Sequence, residues 1–357
     1  MPFAYHDSML GRTKSKPENR LRPAWRVTIG DHVIGLAWSA DGTRLAAAAV
    51  GGPVHVFDSP SGKVVHELPG HGFGTTTIAY QPNGSLLATS GQDGNARLWK
   101  DGIEVAVLPG GSAWVEVLAW NSDGSILATG AGKKVRLWDA SGRQLAELPP
   151  QPSTVYALAW RPRTNHLTIA AYGGVTLWDS TTQVRAFQWK GSPLVARWSP
   201  DGKLLAHGNQ DATVHFWYAD SGKDLQMYGY AHKVKELSWD FSSRYLATGG
   251  GSLVCVWDCG GKGPEGSKPQ MLEGHAADSH LAAVAYQHRG YLLASAGRDG
   301  KVLLWQLGNK KTPLIGSDQF ETEATALAWA KDDNSLAAGS DRGDVTVHRT
   351  SQASGPC

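Results

Sequence analysis

Hydrophobic and polar positions along this chain follow one recurring phrase. A short apolar run closing on an aromatic residue appears as VIGLAW at 33–38, TTTIAY at 75–80, WVEVLAW at 114–120 and TVYALAW at 154–160. It returns as PLVARW at 193–198, KVKELSW at 233–239, LAAVAY at 281–286 and ATALAW at 324–329. The closing aromatics Trp38, Tyr80, Trp120, Trp160, Trp198, Trp239, Tyr286 and Trp329 follow one another at intervals of 38 to 47 residues. Eight recurrences at a period near 40 are a repeat, not an accident of composition.

Each unit then runs through the same events. A polar turn follows the aromatic, as in SADG at 39–42, QPNG at 81–84, NSDG at 121–124 and SPDG at 199–202. Asp-Gly and Asn-Gly supply the positive φ that a tight hairpin needs. A second apolar run follows (LLATS at 86–90, ILATG at 126–130, YLATG at 245–249), then a second Gly-rich turn such as GQDGN at 91–95 or GRDGK at 297–301. A third run ends on a bulky residue: Trp99, Trp138, Trp178, Trp217, Trp257 and Trp305, with Phe57 in the first unit and His348 in the last. A more polar fourth run closes the unit, as KVVHELPG at 63–70 and RQLAELPP at 143–150. Runs this short and evenly spaced predict strands, not helices, and four of them make one antiparallel sheet. Both sheet faces are apolar, so each sheet must pack against a neighbour on either side. Radial repetition meets that demand.

The units carry a family likeness. LWDASG at 137–142, LWDST at 177–181, VWDCG at 256–260, the pairs Gly70–His71 and Gly274–His275, and SPDG at 199–202 resemble WD-repeat β-propellers over roughly residues 25–350. The expected fold is all-β: an eight-bladed WD-repeat β-propeller of four-stranded antiparallel blades. Seven blades plus an irregular segment is the alternative. The eighth unit has only three runs, ending at VTVHR (345–349), so its fourth strand must come from elsewhere. Residues 25–32 read like the fourth runs of the other units. Trp25–Ile29 is expected to complete the last blade and cover its open edge. This gives one domain over 25–350, a polar and basic leader at 1–24 and a polar tail at 351–357.

In WD-repeat proteins a His, a Ser or Thr, an Asp and a Trp form a hydrogen-bonded chain inside a blade. The resemblance assigns these roles to His71, Thr89, Asp93 and Trp99 in unit two, and to His275, Ser295, Asp299 and Trp305 in unit seven. A Ser beside a His and an Asp also invites a hydrolase reading. The structural reading is preferred, because an indole N–H can only donate and so ends such a chain. Units three, four and five lack the Gly-His pair and are expected to rely on apolar packing. The resemblance also makes one face of the disc, built from the turns before each first strand and between the second and third, a partner platform. Large side chains at those points are Phe73, Trp114, Tyr156, Trp189, Lys235 and His280, with Gln92, Gln210, Arg298 and Arg342 in the second-to-third turns. Aromatic and Arg side chains there suit binding anchors, although Trp114 and Trp189 could equally be packed between blades.

Composition narrows the function. Forty-three glycines with fifteen tryptophans fit many tight turns between packed sheets. A formal net charge of +2 offers no global field for a polyanion, so nucleic acid is disfavoured. No apolar run approaches a membrane span or a secretory signal. Three cysteines, Cys255, Cys259 and Cys357, are too few for a disulfide framework. A cytoplasmic protein is expected. His275, Asp278, His280 and His288 form the densest cluster of metal-ligand types, but without the spacing of a zinc site. No phosphate loop or dinucleotide fingerprint occurs. Neither a cofactor nor a catalytic residue is expected. The segment 259–270, CGGKGPEGSKPQ, lengthens one loop and is either a contact loop or a harmless insertion. The function expected is a non-catalytic scaffold holding one or more proteins, as a monomer or as part of a complex. The alternative is a small-molecule or metal site in the central channel, where Glu116, Arg197 and Glu236 are the charged residues of the first runs.

Overall fold

A computed structural model describes residues 19–350 except 262 and 309–312. Thirty-two strands form eight four-stranded antiparallel sheets, and no helix occurs among the described residues. In blades one to seven the strands pair in chain order, starting with Val33–Trp38 through Val64–Leu68 and ending with Leu281–Tyr286 through Leu314–Gln319. The eighth blade consists of Ala324–Trp329, Ser335–Ser340 and Asp344–Thr350, completed by the N-terminal strand Leu21–Thr28.

That closing strand begins at Leu21, four residues before the expected start. It pairs Leu21 with Thr350 and Thr28 with Asp344, with a bulge between Pro23 and Trp25. Its side chains grip three blades. The Trp25 indole donates to the Ser59 carbonyl at 2.7 Å and lies 5.5 Å from the Phe57 ring in blade one. Arg26 donates to Thr346 at 2.8 Å in its own blade and to Asp318 at 2.6 Å in blade seven. The Arg26 guanidinium also sits 5.1 Å from the Phe320 ring centre.

The recurring aromatic at the end of each first strand has a specific task. Trp38 donates its indole N–H to Ala328 O at 2.9 Å, Trp120 to Ala79 O at 3.3 Å and Trp160 to Ala119 O at 2.9 Å. Trp239 does the same to Arg197 O at 3.2 Å and Trp329 to Ala285 O at 2.9 Å. Each bond ties a blade to the first strand of the blade before it, and Trp38 makes the tie across the ring closure. Trp198 differs, donating to the Thr168 hydroxyl at 2.8 Å. Tyr80 and Tyr286 have no indole to give.

The core lies between blades, not within them. Phe57, Leu45 and Trp38 of blade one pack with Ala337, Val345 and Val347 of blade eight. Equivalent clusters occur at the other seams, such as Val214, Phe216 and Leu237 between blades five and six. A fully buried Leu or Phe at such a position contributes about 2 kcal/mol. Removing one blade therefore strips the apolar cover from both its neighbours.

Five of the first turns take positive φ at their last corner. Gly42 (71°), Gly124 (76°) and Gly202 (72°) supply it freely, but Ser243 (65°) and Asp333 (61°) hold the same conformation with a Cβ. At Asp333 the strain has an offset: its carboxylate accepts the backbone N–H groups of His288, Arg289 and Gly290 from blade seven at 2.7–3.0 Å.

Candidate partner-binding face

Antiparallel pairing puts the turn before every first strand and the turn between second and third strands on one face of the disc. The other two sets of turns lie on the opposite face. Every candidate of the two turn classes therefore shares a face, and the question is which side chains the interior leaves free.

The interior claims both histidine quartets. His71 Nδ1 lies 2.9 Å from Asp93 and Nε2 lies 2.8 Å from the Thr89 hydroxyl, which accepts the Trp99 indole N–H at 3.0 Å. His275 lies 2.9 Å from Asp299 and 2.8 Å from Ser295, which accepts the Trp305 N–H at 2.9 Å. A carboxylate can only accept, so Nδ1 carries the proton and Nε2 accepts from the hydroxyl. Burial lowers the pKa of both histidines against the opposing pull of their aspartates. Burial raises Asp93 and Asp299, but the histidine hydrogen bonds and the backbone N–H groups of Asn95, Ala276 and Lys301 bring both below the usual carboxylate range. Ser295, His275 and Asp299 thus share the connectivity of a hydrolytic triad. Ser295 is 0% exposed and its oxygen is occupied by Trp305, so no substrate carbonyl can reach it.

Blade five corrects the expectation of apolar packing alone. Trp217 donates to His207 Nε2 at 2.9 Å, and His207 Nδ1 donates to Asn209 at 2.9 Å. Asn209 donates to Thr213 at 3.0 Å, and Thr213 to Asp211 at 2.7 Å. Here a histidine occupies the second-strand place of Thr89 and Ser295, so the indole has a partner without the Gly-His pair. Burial, with the neighbouring His215 adding to it, pushes His207 down to about 3. In blade three Trp138 reaches only Thr129 and in blade four Trp178 reaches only Thr176. In blade six Tyr230 stands at the place of His71 and its hydroxyl takes the indole itself, accepting from Trp257 at 2.9 Å and lying 3.0 Å from Thr248.

Three of the aromatic candidates stand in solvent: Phe73 is 91% exposed, Trp114 51% and Tyr156 40%. Phe73 holds φ at 68° between two glycines, a conformation that disfavours a bulky side chain. Tyr172, 56% exposed in the second-to-third turn of blade four, belongs with them and was missed. Its signal was a large ring in a turn flanked by Gly173 and Gly174. Trp189 does not belong. Its ring packs on His215 with centroids 3.6 Å apart, because blade five's buried histidines offer an aromatic surface beside it. Gln92 is half-buried, and Arg342 is exposed apart from the rest.

The remaining four candidates meet. Gln210, Lys235, His280 and Arg298 line one cleft of about 480 Å³ above blade six, together with His232, Lys233, Glu236, Gly250, Gly251 and Leu281. The rings of His232 and His280 pack at a tilt of 35° with centres 4.1 Å apart. The metal-type cluster is dispersed instead: His275 is in its quartet, and His288 bonds the Trp329 carbonyl at 3.1 Å on the opposite face. Among the described residues no three His, Cys, Asp or Glu side chains are placed to share a metal ion.

The channel charges are likewise apart. Arg197 lines a hollow of about 190 Å³ with Thr77, Val117, Tyr156 and Leu194, whereas Glu236 belongs to the cleft over blade six. Glu116 lines neither. On the opposite face a larger cavity of about 680 Å³ opens between blades one and two, where Tyr80 stands in place of a tryptophan. Its charges are mixed, Asp41 and Asp101 against Arg44 and His66, and Asp58 already holds Arg44 at 2.7 Å. The 259–270 segment also lies on that face, with Glu265 paired to Lys223 at 2.8 Å. Of the basic leader, residues 1–18 lie outside the described residues, as does the 351–357 tail.

The family model described as WD domain, G-beta repeat matches residues 62–100, 102–139, 188–218, 222–258 and 266–306, just over half of the chain. The chain is 27% identical over 165 residues to "Anaphase-promoting complex subunit cdc20" of Dictyostelium discoideum, covering 45% of this chain and 32% of that protein. It is 34% identical over 116 residues to "Probable cytosolic iron-sulfur protein assembly protein 1" of Mycosarcoma maydis, covering 31% and 21%. It is 26% identical over 200 residues to "WD repeat-containing protein 1" of Xenopus tropicalis, covering 43% and 32%. The chain thus spans a third or less of these relatives. Among solved structures, the computationally designed Ika8 protein superposes with a TM-score of 0.77 at 22% identity, over 92% of this chain and 99% of that one, a likeness of fold alone.

Proposed function

This chain belongs to the WD domain, G-beta repeat family, and on that premise we propose that it is a non-catalytic scaffold that docks other proteins on the face carrying Phe73, Trp114, Tyr156 and Tyr172. One observation carries the reading. Four large aromatic side chains stand in solvent over blades two to four, although the same blades bury every ring their core needs. Exposed aromatics of this kind, set on rigid strands and short turns, are the anchors of protein interfaces. Holding Phe73 at positive φ costs conformational energy that the interior does not require. Family kinship supports the same reading, since one relative is by name a subunit of a complex. The proposal includes a cytoplasmic protein, consistent with Cys255 and Cys259 remaining buried free thiols.

The test is affinity capture from the source cells with wild-type protein and with Phe73→Ala/Trp114→Ala/Tyr156→Ala, read by quantitative mass spectrometry. The variant is expected to lose the proteins that the wild type captures at an unchanged melting temperature. Equal capture by a folded variant defeats the assignment.

A further inference from the structure

Blade six departs from its neighbours at the top of its first strand. Seven blades have a six-residue first strand, whereas in blade six pairing covers only Leu237–Trp239. The cause is local. Glu236 turns its carboxyl onto the Gly249–Gly251 turn, and a Cβ on Gly249 would lie only 2.5 Å from Glu236 Oε2. Three consecutive glycines leave room for that side chain and no side chain to fill the space above it. The result is the cleft of about 480 Å³, built from loops of blades five, six and seven.

Its walls are cationic. Lys233 and Lys235 are exposed and form no ion pair among the described residues, and exposed Arg298 has one long ion pair, to Glu323 at 3.7 Å. Two imidazoles in tilted contact, His232 and His280, lie beside them. Glu236, at the floor, is the only acid among the described lining residues. The chain as a whole is almost neutral, so this field is local and not a share of a general positive charge.

We infer that this cleft binds an acidic peptide segment of a partner protein, its carboxylates set against Lys235 and Arg298. Charge complementarity selects the class of ligand. Size selects a peptide over a free inorganic anion, because several side chains are needed to fill such a space. A nucleic acid would need a longer basic track than three loops provide. The inference rests on the docking-face reading and adds the chemistry of one partner.

The experiment measures binding of fluorescein-labelled octaglutamate to the full chain by anisotropy at low ionic strength. Saturable binding is expected, weakened about tenfold or more by Lys235→Glu/Arg298→Glu. Lys133→Glu/Lys190→Glu, the same charge change elsewhere on this face, is expected to alter it by no more than about twofold. Circular dichroism verifies the fold of each variant, and Lys235→Gln/Arg298→Gln repeats the test without introducing repulsion. Absence of saturable binding overturns the inference. So does equal weakening by both pairs of reversals, equal binding of oligothymidylate, or complete displacement by equimolar phosphate. Failure of the peptide with capture from cells intact removes only the acidic ligand, whereas loss of the aromatic anchors without effect on capture removes the docking face and leaves the peptide result standing.

Discussion

The tops of blade two and blade six are the same connection of the repeat, PGHGFGT at 69–75 and YGYAHKV at 228–234, yet they present opposite chemistry. In blade two His71 is drawn inside by Asp93 and Thr89, and two residues later Phe73 is left in solvent. In blade six Tyr230 takes the inner place and bonds Trp257 and Thr248, and two residues later His232 is left in solvent beside Lys233. The inner residue has to complete the hydrogen bonding of a buried threonine and indole, so its chemistry is constrained. The residue two further on answers only to what lies outside. Interior and face are thus separable within one seven-residue stretch, and each can be disturbed without the other.

The largest disturbance removes the ring on which both tops depend. Deleting Leu21–Thr28 uncovers the edge of Asp344–Thr350 and frees Phe57 from Trp25. The protein is expected to aggregate and lose its cooperative melt, checked by size-exclusion chromatography and thermal circular dichroism. A monomeric, cooperatively melting product would contradict the closure. Next come the inner residues. Thr89→Val strands the Trp99 N–H and the His71 Nε2 together and is expected to cost about 2–4 kcal/mol in urea unfolding. Tyr230→Phe removes one hydroxyl that serves Trp257 and Thr248 and is expected to cost about 1–2 kcal/mol.

Titration should separate the two blades, acid acting on blade two and alkali more strongly on blade six, where three raised groups stand against Tyr80 alone in blade two. Burial holds the His71 pKa below that of a free imidazole. Below about pH 6.5 the unfolded chain therefore binds more protons than the folded one, and stability falls as the pH drops. Asp93, with its pKa below the free value, adds a further loss as the pH falls through that lowered pKa. In blade six burial raises Tyr230 and pushes Cys255 and Cys259 up to about 11 and about 12. The unfolded chain gives up those protons first, so stability there falls as the pH rises above about 8.5. Hydrogen exchange, corrected for intrinsic rates, should show blade two opening first in acid and blade six opening first in alkali. The reverse order would break the comparison. The smallest effect belongs to the outer residue: Phe73→Ala is expected to change stability by no more than about 0.5 kcal/mol, measured by the same urea unfolding.

The sequence made much of the fold legible. The eight aromatics that end the first strands marked the units, five of them because they share one physical duty, and where Tyr80 stands in place of a tryptophan a cavity lies beside it. The closing strand was legible because the last unit lacked one run, although its start at Leu21 was hidden by Pro23 and the bulge beside it. Less of the candidate site could be read. Blade five looked like a departure from the quartet because it lacks the Gly-His pair, whereas His207 satisfies the same indole from the second strand. Trp189 looked like an anchor, since nothing in the chain shows that His215 lies beneath it. Lys233 and His232 were passed over because an exposed cation in a loop carries no signal until its neighbours are known.

The sequence by itself determined the blades and the ring, and favoured eight over seven. Those follow from apolar runs that must be buried and turns that must bend, demands set by each residue and its near neighbours. Only the tertiary structure decided that Gln210, Lys235, His280 and Arg298, spread over almost ninety positions, share one cleft. The physical reason is that charge acts through space. Ring closure brings loops of three blades within reach of one another, and the field they make there belongs to no segment of the chain.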